Sequence, residues 1–416
     1  MNILRFAKAA ARRVLRRRPF HPTLEMLVPI ELSVKPDLKP RLNILVPTLN
    51  PEHVFGGITT ALRFYEALGA QTGMECRMIV TDEQTLPEYV RNYPEYTLCE
   101  GAKKFPAAKQ VVPCFPRAGK VLPVRSGDIF IATAWWTAVL GDRILAEIEK
   151  QTGLATPLLY FIQDYEPYFY AWSSFSAMAE SSYHLNREVL AVFNSHELRD
   201  YFRLHGYSFT REFCFDPVLN ASLKKALTQH PPKEKSRKIL VYGRPSVSRN
   251  CIELVLDGLT QWAKTAKDPE RWELFSAGES FPDIHLTPQC TLHSVGKLSI
   301  EEYARLMSET YAGISLMVSP HPSYPPLEMS TFGVKTITNT YENKDLSGFH
   351  ENIVSLSNIT PENIGNTLAA ITDNYAPDRF VLATDTPYFQ NDFSFDAICR
   401  EIGPLLLPAE KKTTGE

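Results

Sequence analysis

The sequence predicts an α/β protein with two successive doubly wound domains that face a central cleft, and three observations support this class. From residue 41 onward, short apolar runs alternate with longer segments of helical periodicity, as in parallel strands joined by helices. A polar, proline-containing stretch at 229–238, which is predicted to be an exposed linker between domains, interrupts the alternation, which then resumes. The chain has 416 residues, whereas a single hydrophobic core stops growing at about 250–300 residues.

The first half contains five predicted strands and two predicted helices. A helix is expected over 58–68, where Ile58, Leu62, Tyr65 and Leu68 share one face. Ser195 is expected to cap a second helix that runs to about residue 204. The predicted strands are 42–48, 77–81, 128–133, 158–162 and 190–194.

The second half repeats the pattern after the linker at 229–238. Its predicted strands are 238–242, 272–277, 291–294, 312–317, 334–338 and 353–356, and its predicted helices are 250–264, 299–308 and 326–332. A last helix is expected at 392–407, and packing of its apolar face against the first domain is one arrangement that would bury it. The expected parts are a basic segment at 1–20, a first domain at 21–230, a second domain at 231–390 and a C-terminal helix at 391–416.

The charge distribution argues against a nucleic-acid partner and singles out the N-terminus. The net charge is −3, which gives no general positive field. Residues 1–20 contain seven basic and no acidic side chains, interleaved with apolar ones. This segment is predicted to be an amphipathic helix on the inner face of the cytoplasmic membrane, and a solvated arm is the alternative. No stretch reaches the roughly 18–20 apolar residues of a membrane-spanning helix.

The seven cysteines are widely spaced and never form a CxxC pair. An odd number without paired spacing argues against a disulfide framework or a metal cluster. Reduced cysteines in apolar contexts are typical of the cytoplasm, which is the predicted location.

Two glycine-containing loops that follow predicted strands are candidate phosphate sites. Gly56 and Gly57 open a helix, where free backbone N–H groups attract negative charge, although a tight turn needs the same residues. In the second half, Gly243 and Arg244 follow a strand, and Arg249 lies just before a helix. Arginine bridges two phosphate oxygens, although surface arginine near a helix start is common.

Two further candidates lie later in the second half. Lys297 follows the strand at 291–294 and offers a positive point charge to phosphate. The loop at 319–333 is rich in proline and leads into a helix with Glu328 in its expected first turn. A carboxylate can accept hydrogen bonds from two ribose hydroxyls, and a favourable helix-dipole interaction is the alternative role for Glu328.

The order of these elements resembles the donor-binding half of GT-B glycosyltransferases of the retaining family-four type, which have two Rossmann-like domains. The resemblance implies that Arg244 and Lys297 contact the donor diphosphate and that Glu328 contacts the nucleotide ribose. Together with the loop residues argued above, the expected donor-binding set also includes Gly56, Gly57, Gly243, Arg249, Tyr324, Pro326 and Leu327.

Segments 43–49, 161–166 and 319–333 look more closely like the rhamnosyltransferase WsaF group. That resemblance implies dTDP-L-rhamnose as donor and a growing, rhamnose-containing surface polysaccharide of the S-layer glycan or O-antigen type as acceptor. The acceptor is expected to be lipid-linked. The sequence leaves the oligomeric state open, with a homodimer as one candidate. A transferase with another nucleotide sugar and a non-catalytic glycan-binding scaffold are the alternatives. A dinucleotide-dependent oxidoreductase is disfavoured because no first loop reads GxGxxG.

One position departs from the retaining relatives. Many of them have a second glutamate eight residues before the ribose glutamate, where this chain has Pro320. His321 is the candidate to take over part of that role through a hydrogen bond to the donor, and an exposed loop histidine is the alternative. Whether the reaction retains or inverts the anomeric configuration stays open.

Asp164 and Glu166 superficially match a D-x-D metal motif, but one acidic pair supplies too few ligands, and no metal or other cofactor is expected. Asp164 is a candidate for acceptor binding or proton removal, with turn stabilisation as the alternative. A dense aromatic run follows, and either an acceptor groove or a core contact explains it. Its members are Tyr165, Tyr168, Phe169, Tyr170, Trp172 and Phe175.

Overall fold

A computed structural model describes residues 24–37, 39–54, 56–99 and 107–406. The predicted basic helix at 1–20 and the end of the C-terminal segment, 407–416, lie outside the described residues. The chain has the predicted α/β character, with short strands alternating with helices along most of its length.

The strands are β1 Glu31–Lys35, β2 Arg41–Val46, β3 Glu75–Val80, β4 Thr97–Leu98, β5 Lys109–Pro113, β6 Val121–Arg125, β7 Ile129–Ala132, β8 Leu158–Ile162, β9 Val189–Phe193, β10 Arg211–Cys214, β11 Ser236–Gly243, β12 Glu273–Gly278, β13 Ile284–Thr287, β14 Cys290–Gly296, β15 Thr310–Ile314, β16 Lys335–Asn339 and β17 Ile353–Leu356.

The α-helices are α1 Gly56–Thr72, α2 Pro87–Val90, α3 Trp135–Thr152, α4 Ser174–Ser181, α5 His196–Leu204, α6 Ala221–Gln229, α7 Ile252–Thr265, α8 Ile300–Glu309, α9 Tyr324–Thr331, α10 Pro361–Thr372, α11 Pro387–Gln390 and α12 Asp396–Leu406. Short 3₁₀ helices cover Glu25–Leu27, Glu166–Phe169, Ser248–Asn250 and Pro269–Arg271.

Two large sheets organise the chain. The first has the strand order β10-β9-β8-β7-β2-β3-β5-β4, and the second has the order β13-β14-β12-β11-β15-β16-β17. The pairs of β11 with β12 and β15 are parallel, whereas β13 runs antiparallel to β14 at one edge. Strands β1 and β6 form a separate parallel pair. In each large sheet the first strand of the chain, β2 or β11, lies near the centre, and later strands extend to both sides. This is the strand order of doubly wound α/β folds.

Contacts divide the chain into two compact units. The first contains the described part of residues 1–158 together with Leu406, and the second contains residues 159–405. Every candidate site residue except Gly56 and Gly57 belongs to the second unit. The seven-stranded sheet lies entirely within this unit, so the relative positions of residues at its strand ends can be described.

The seven-stranded sheet is buried on both faces. Along β11, Ile239 and Val241 join one hydrophobic cluster with residues of α7 and α10, while Leu240 joins another with residues of α8 and α9. Successive side chains of a strand point to opposite faces, so this division places helices on both sides of the sheet. The packed layers leave the loops at the carboxyl ends of the strands as the place for a ligand.

One part of the linker prediction is wrong. The stretch 229–238 was expected to be exposed, but Lys235 within it is fully buried. Its Nζ donates to the backbone oxygens of Met307 at 2.9 Å and Phe332 at 2.7 Å, near the ends of α8 and α9. Carbonyl oxygens at the C-terminal end of a helix lack intrahelical hydrogen-bond donors, and Lys235 donates to two of them.

Candidate active site

The loop after β11 is fixed by close packing against β12. A Cβ atom added to Gly243 would lie only 2.1 Å from Ser276 Oγ, so no larger residue fits this strand end without a shift. Glu279 N donates to Gly243 O at 3.1 Å, and Ser246 N donates to Glu279 Oε2 at 2.9 Å. The sequence prediction of a glycine turn is therefore explained by close packing, and the turn holds the backbone next to Arg244.

Arg249 lies at the centre of a group of contacts around Asp164. Its Nε is 3.4 Å from Asp164 Oδ2, and its guanidinium lies 4.1 Å from the ring centroid of Phe169. Asp164 is only 8% exposed, and its Oδ1 accepts hydrogen bonds from the Ser319 hydroxyl and from Tyr165 N. The carboxylate thus joins the loops after β8, β11 and β15, and it also stabilises its own turn.

His321 is buried rather than exposed, with 7% of its surface accessible. Its backbone N donates to Ser319 Oγ at 3.0 Å, and Ser323 N donates to its Nδ1 at 3.0 Å. Because Nδ1 accepts this bond, the neutral ring carries its proton on Nε2, which has no hydrogen-bond partner within the described residues. Burial lowers the pKa of His321 to about 4, so the ring is a neutral donor at physiological pH.

Lys344 is a part of this group that the sequence did not single out. It is fully buried, and its Nζ donates to Met317 O at 2.6 Å. Burial lowers the pKa of Lys344 to about 8, while Asp164 and Cys251 raise it. Asn339 accepts from Met317 N at 2.7 Å and donates to Met317 O at 3.0 Å. The start of the loop that carries Ser319 and His321 is therefore held from two sides.

Glu328 lies in α9, which begins at Tyr324 and not at residue 326. The expectation that Glu328 occupies the first turn is wrong, because Pro325 and Pro326 fill that turn, where a missing N–H is tolerated. Burial raises the pKa of Glu328 to about 7, and the hydroxyl of Tyr303 partly opposes this shift. A helix-dipole role at the N-terminus no longer explains this carboxyl group.

Several predicted donor residues are brought together around the phenol of Tyr242. Burial raises the pKa of Tyr242, Arg244 and Arg249 lower it, and Glu328 raises it, which places all three charges within electrostatic reach of one side chain. Also in this unit, the Tyr324 ring centroid lies 5.6 Å from that of His321. Pro326 and Leu327 are buried in α9 and shape its packing.

The remaining candidates stand at strand or helix ends. Lys297 is exposed immediately after β14, where Gly296 adopts a positive φ of 65°. Because the paired strands β14, β12, β11 and β15 are parallel, Lys297 lies at the same sheet edge as Arg244. Gly56 and Gly57 belong to the first unit and are exposed at the start of α1, as expected for a helix-opening turn.

The aromatic run after β8 has mixed surroundings. Tyr165 is buried and contacts several rings, whereas Tyr168 is half-exposed and Trp172 is fully exposed. Tyr165 is therefore a core residue, whereas Tyr168 and Trp172 are accessible to solvent. The side chains of Tyr165, Tyr168, Tyr170 and Trp172 line a cavity of about 870 Å³ that also includes Arg249.

No group of three or more His, Cys, Asp and Glu side chains in the described part of the chain is arranged to hold a metal ion. No helix of the ranges that the structure describes is long and apolar enough to cross a membrane.

Comparisons of sequence identify relatives for both halves. Residues 41–196 match the family model "WsaF, N-terminal domain", and residues 237–369 match "WsaF, C-terminal domain". Together the two matches cover more than half of the chain. The O-antigen biosynthesis protein RfbC of Myxococcus xanthus is 30% identical over 288 residues, which is 69% of this chain. The chain spans only 21% of the length of that relative.

Comparisons of structure identify GT-B glycosyltransferases. Sucrose-phosphate synthase from Thermosynechococcus elongatus has a TM-score of 0.55 at 13% identity, over 88% of this chain and 98% of its own. WaaG, a glycosyltransferase involved in lipopolysaccharide biosynthesis, has a TM-score of 0.54 at 12% identity, over 90% and 100%. HepE from Anabaena, solved with UDP and glucose, has a TM-score of 0.52 at 12% identity, over 88% and 99%. At these identities the likeness establishes the GT-B fold.

Proposed function

The chain belongs to the WsaF family and is a glycosyltransferase of the GT-B fold, and from this premise we propose that it transfers L-rhamnose from dTDP-L-rhamnose to a growing surface polysaccharide. The polysaccharide is a rhamnose-containing glycan of the S-layer or O-antigen type. The name of the Myxococcus relative, an O-antigen biosynthesis protein, supports this class of product. The choice of rhamnose rests on the family resemblance.

The observation that carries the proposal is the grouping of charges at the carboxyl edge of the seven-stranded sheet. Arg244, Arg249 and Glu328 all act on the Tyr242 phenol, and Lys297 follows a strand of the same parallel set. Two arginines and a lysine suit a diphosphate, and a carboxyl group that ionises near neutral pH suits two ribose hydroxyls. This combination fits a nucleoside diphosphate sugar.

Catalysis in this proposal is mainly electrostatic. As the bond between the sugar carbon and the diphosphate oxygen breaks, negative charge grows on the departing dTDP, and Arg244, Arg249 and Lys297 stabilise it. The new bond forms between the same carbon and an acceptor hydroxyl oxygen, whose proton passes to Asp164. These cations supply the charge that a metal ion would otherwise provide, so we propose a reaction without metal.

His321 takes the place of the missing carboxylate near the sugar. Its Nε2–H is buried without a partner in the described residues, and an unmet donor is costly unless a ligand accepts its bond. We assign this donor to a sugar hydroxyl or a diphosphate oxygen of the bound donor. Gly56 and Gly57 remain proposed donor-side residues of the first unit. Membrane contact through residues 1–20, a lipid-linked acceptor and cytoplasmic location belong to the same proposal.

The experiment that tests this function is a calorimetric titration with dTDP-L-rhamnose, UDP-glucose and GDP-mannose in buffer with EDTA. We expect selective binding of dTDP-L-rhamnose without metal. Selective binding of another donor would keep the fold and overturn the rhamnosyl assignment. Absence of binding by all three would favour the glycan-binding scaffold, a role that Pro320 at the usual carboxylate position also fits.

A further inference from the structure

A cavity of about 870 Å³ in the second unit shares only Arg249 with the proposed donor residues. Its wall combines the segment after β8 and helix α4 with a smaller contribution from the loops after β11, β15 and β16. The lining residues that matter for a ligand are Tyr165, Tyr168, Tyr170, Trp172, Glu180 and Arg249. A volume of this size accommodates one or two sugar rings.

Aromatic faces dominate the accessible part of this wall. Trp172 is fully exposed, and Tyr168 is 49% exposed, although both are large apolar side chains. Tyr170 is stacked on Phe175 at 5.4 Å between ring centroids, which fixes its orientation. Exposed aromatic rings that share one cavity are typical of binding sites, because a ligand with an apolar face removes their surface from water.

The polar groups of the wall are held in place by a tyrosine network. The Tyr165 hydroxyl donates to Glu180 Oε2 at 2.5 Å, and the Tyr207 hydroxyl donates to Oε1 at 2.6 Å. Burial raises the pKa of Glu180, but hydrogen bonds with Tyr165, Tyr207 and His184, whose Nε2 lies 3.2 Å from Glu180 Oε1, outweigh it and the pKa is lowered. Glu180 therefore presents a fixed negative charge, which leaves lone pairs for sugar hydroxyls.

The charge balance of the cavity determines which sugars it accepts. Among the lining residues, Arg249 is the cation, and it already lies 3.4 Å from Asp164 and over the Phe169 ring. An acidic sugar would bring its carboxylate close to Glu180, while Arg249 is engaged by Asp164 and, in the proposed function, by the donor diphosphate. The cost of a desolvated like-charge contact makes such a ligand unfavourable.

We propose that this cavity binds the acceptor end of the glycan as a neutral pyranose, with one C–H face on Trp172 and Tyr168 and its hydroxyls toward Glu180, and that it excludes acidic sugars. This inference rests on the proposed transferase function and names the substrate class of its acceptor. Arg249 lies in the cavity wall and in the donor loop, so an acceptor bound here reaches the region where the diphosphate is expected.

The test uses methyl α-L-rhamnopyranoside as a neutral probe and methyl β-D-glucuronide as an acidic one. Binding is measured by calorimetry at millimolar concentrations with the full chain. We expect the wild-type protein to bind the rhamnoside and not the glucuronide. Trp172→Ala is expected to weaken rhamnoside binding about tenfold, or about 1.4 kcal/mol, because the variant loses the aromatic face that the sugar ring contacts.

Two variants separate the cavity from general effects. Leu204→Ala also removes an exposed apolar side chain, which lies outside the cavity lining, and it should bind the rhamnoside like wild type. Glu180→Gln should gain measurable glucuronide binding. The inference is overturned if Trp172→Ala binds as well as Leu204→Ala, if wild type binds both sugars equally, or if it binds neither.

The same proteins are titrated with dTDP-L-rhamnose, so that failure of the acceptor-cavity proposal can be distinguished from failure of the proposed function. An unchanged donor affinity in Trp172→Ala together with a weaker rhamnoside affinity supports the acceptor site. Loss of donor binding in wild type would overturn the proposed function, while rhamnoside binding that depends on Trp172 would still identify the cavity as a glycan site.

Discussion

The carboxyl edge of the seven-stranded sheet and the aromatic cavity after β8 belong to the same unit, but they differ in where their titratable groups ionise. Burial shifts the pKa of Glu328 to about 7 and that of Lys344 to about 8 at the sheet edge. In the aromatic network, burial instead raises the pKa of Tyr165, Tyr201 and Tyr207 above the ordinary tyrosine value. The tyrosines therefore remain neutral hydroxyls.

This difference separates two kinds of recognition. The sheet edge has charges that respond to an anionic ligand and to pH, which suits a nucleoside diphosphate. The cavity has apolar faces, neutral tyrosine hydroxyls and the ionised Glu180, which suit an uncharged sugar ring and disfavour an anionic one. We therefore expect pH and substitutions of the sheet-edge charges to act on the donor, and aromatic substitutions in the cavity to act on the acceptor.

The largest expected effect comes from Lys297→Ala at the sheet edge. Loss of one cation that stabilises the departing diphosphate should lower the rate of dTDP release by about 10²–10³-fold. The measurement is steady-state turnover of dTDP-L-rhamnose with methyl α-L-rhamnopyranoside. Lys264→Ala removes an exposed lysine of α7 and is the matched control. Equal activity of the two variants would remove Lys297 from the site.

The next effect concerns stability and Lys235, which directly precedes β11 at the opposite, amino edge of the seven-stranded sheet. Burial lowers the pKa of Lys235 to about 7, so between pH 7 and the ordinary lysine pKa the unfolded chain binds more protons than the folded one. The free energy of unfolding should therefore rise with pH, by about 2 kcal/mol from pH 7 to pH 9, relative to Lys235→Met. Urea unfolding at both pH values measures it, and a constant difference between the two proteins would contradict the prediction.

Glu328 should make donor affinity depend on pH. Its pKa of about 7 in the free protein means that it is mostly protonated at pH 5.5, and the ionised form accepts both ribose hydroxyls. Affinity for dTDP-L-rhamnose should rise about tenfold from pH 5.5 to pH 7, with proton release on binding. Calorimetry in buffers of different ionisation enthalpy detects those protons. Glu328→Gln should bind more weakly at pH 7 without this pH dependence, and a wild-type curve that is flat would rule out the ribose role.

Lys344 has the smallest expected effect, because it acts through the loop that carries Ser319 and His321. Lys344→Met should lower kcat about fivefold with little change in donor affinity, since Asn339 still holds Met317. Wild-type kcat should fall above pH 8, where Lys344 loses its charge toward Asp164, and the variant should lack this decline. His321 and Cys251 also face the Lys344 ammonium group, but both are neutral near pH 8 and so cannot replace its positive charge. A variant that keeps the decline would show that another group titrates.

The fold was largely predictable because buried parallel strands form continuous apolar runs. Strand β8 has the predicted bounds, and β9 differs from its prediction by one residue at each end. The Ser195 cap is confirmed by a hydrogen bond from Leu198 N to Ser195 Oγ at 3.1 Å. Local signals of this kind need no knowledge of the tertiary structure.

Two long helices were missing from the sequence prediction for different reasons. Helix α3 has Ala134 at its N-cap, and Thr137 within the helix accepts from the backbone N of Ala134 at 2.9 Å instead. The usual start signal is therefore absent from the sequence. Helix α10 does have such a signal, because Thr360 caps it and Pro361 opens it. That helix could have been found.

The site was predictable only where a residue type and its strand position indicated chemistry. Arg244, Lys297 and Glu328 follow strands in recognisable loops, whereas Lys344 lies in the polar stretch 341–345, which is typical of an exposed turn. Its burial depends on how Asn339 and the loop after β15 pack, and no local pattern encodes that packing. The burial of His321 was missed for the same reason, since a proline-rich loop is usually exposed.

The measurement that tests the separation of the two regions most directly is a paired titration of Lys297→Ala and Trp172→Ala with dTDP-L-rhamnose and with methyl α-L-rhamnopyranoside. We predict that the lysine variant loses affinity for the nucleotide sugar alone and that the tryptophan variant loses affinity for the rhamnoside alone. Equal losses of both ligands in either variant would contradict separate donor and acceptor sites.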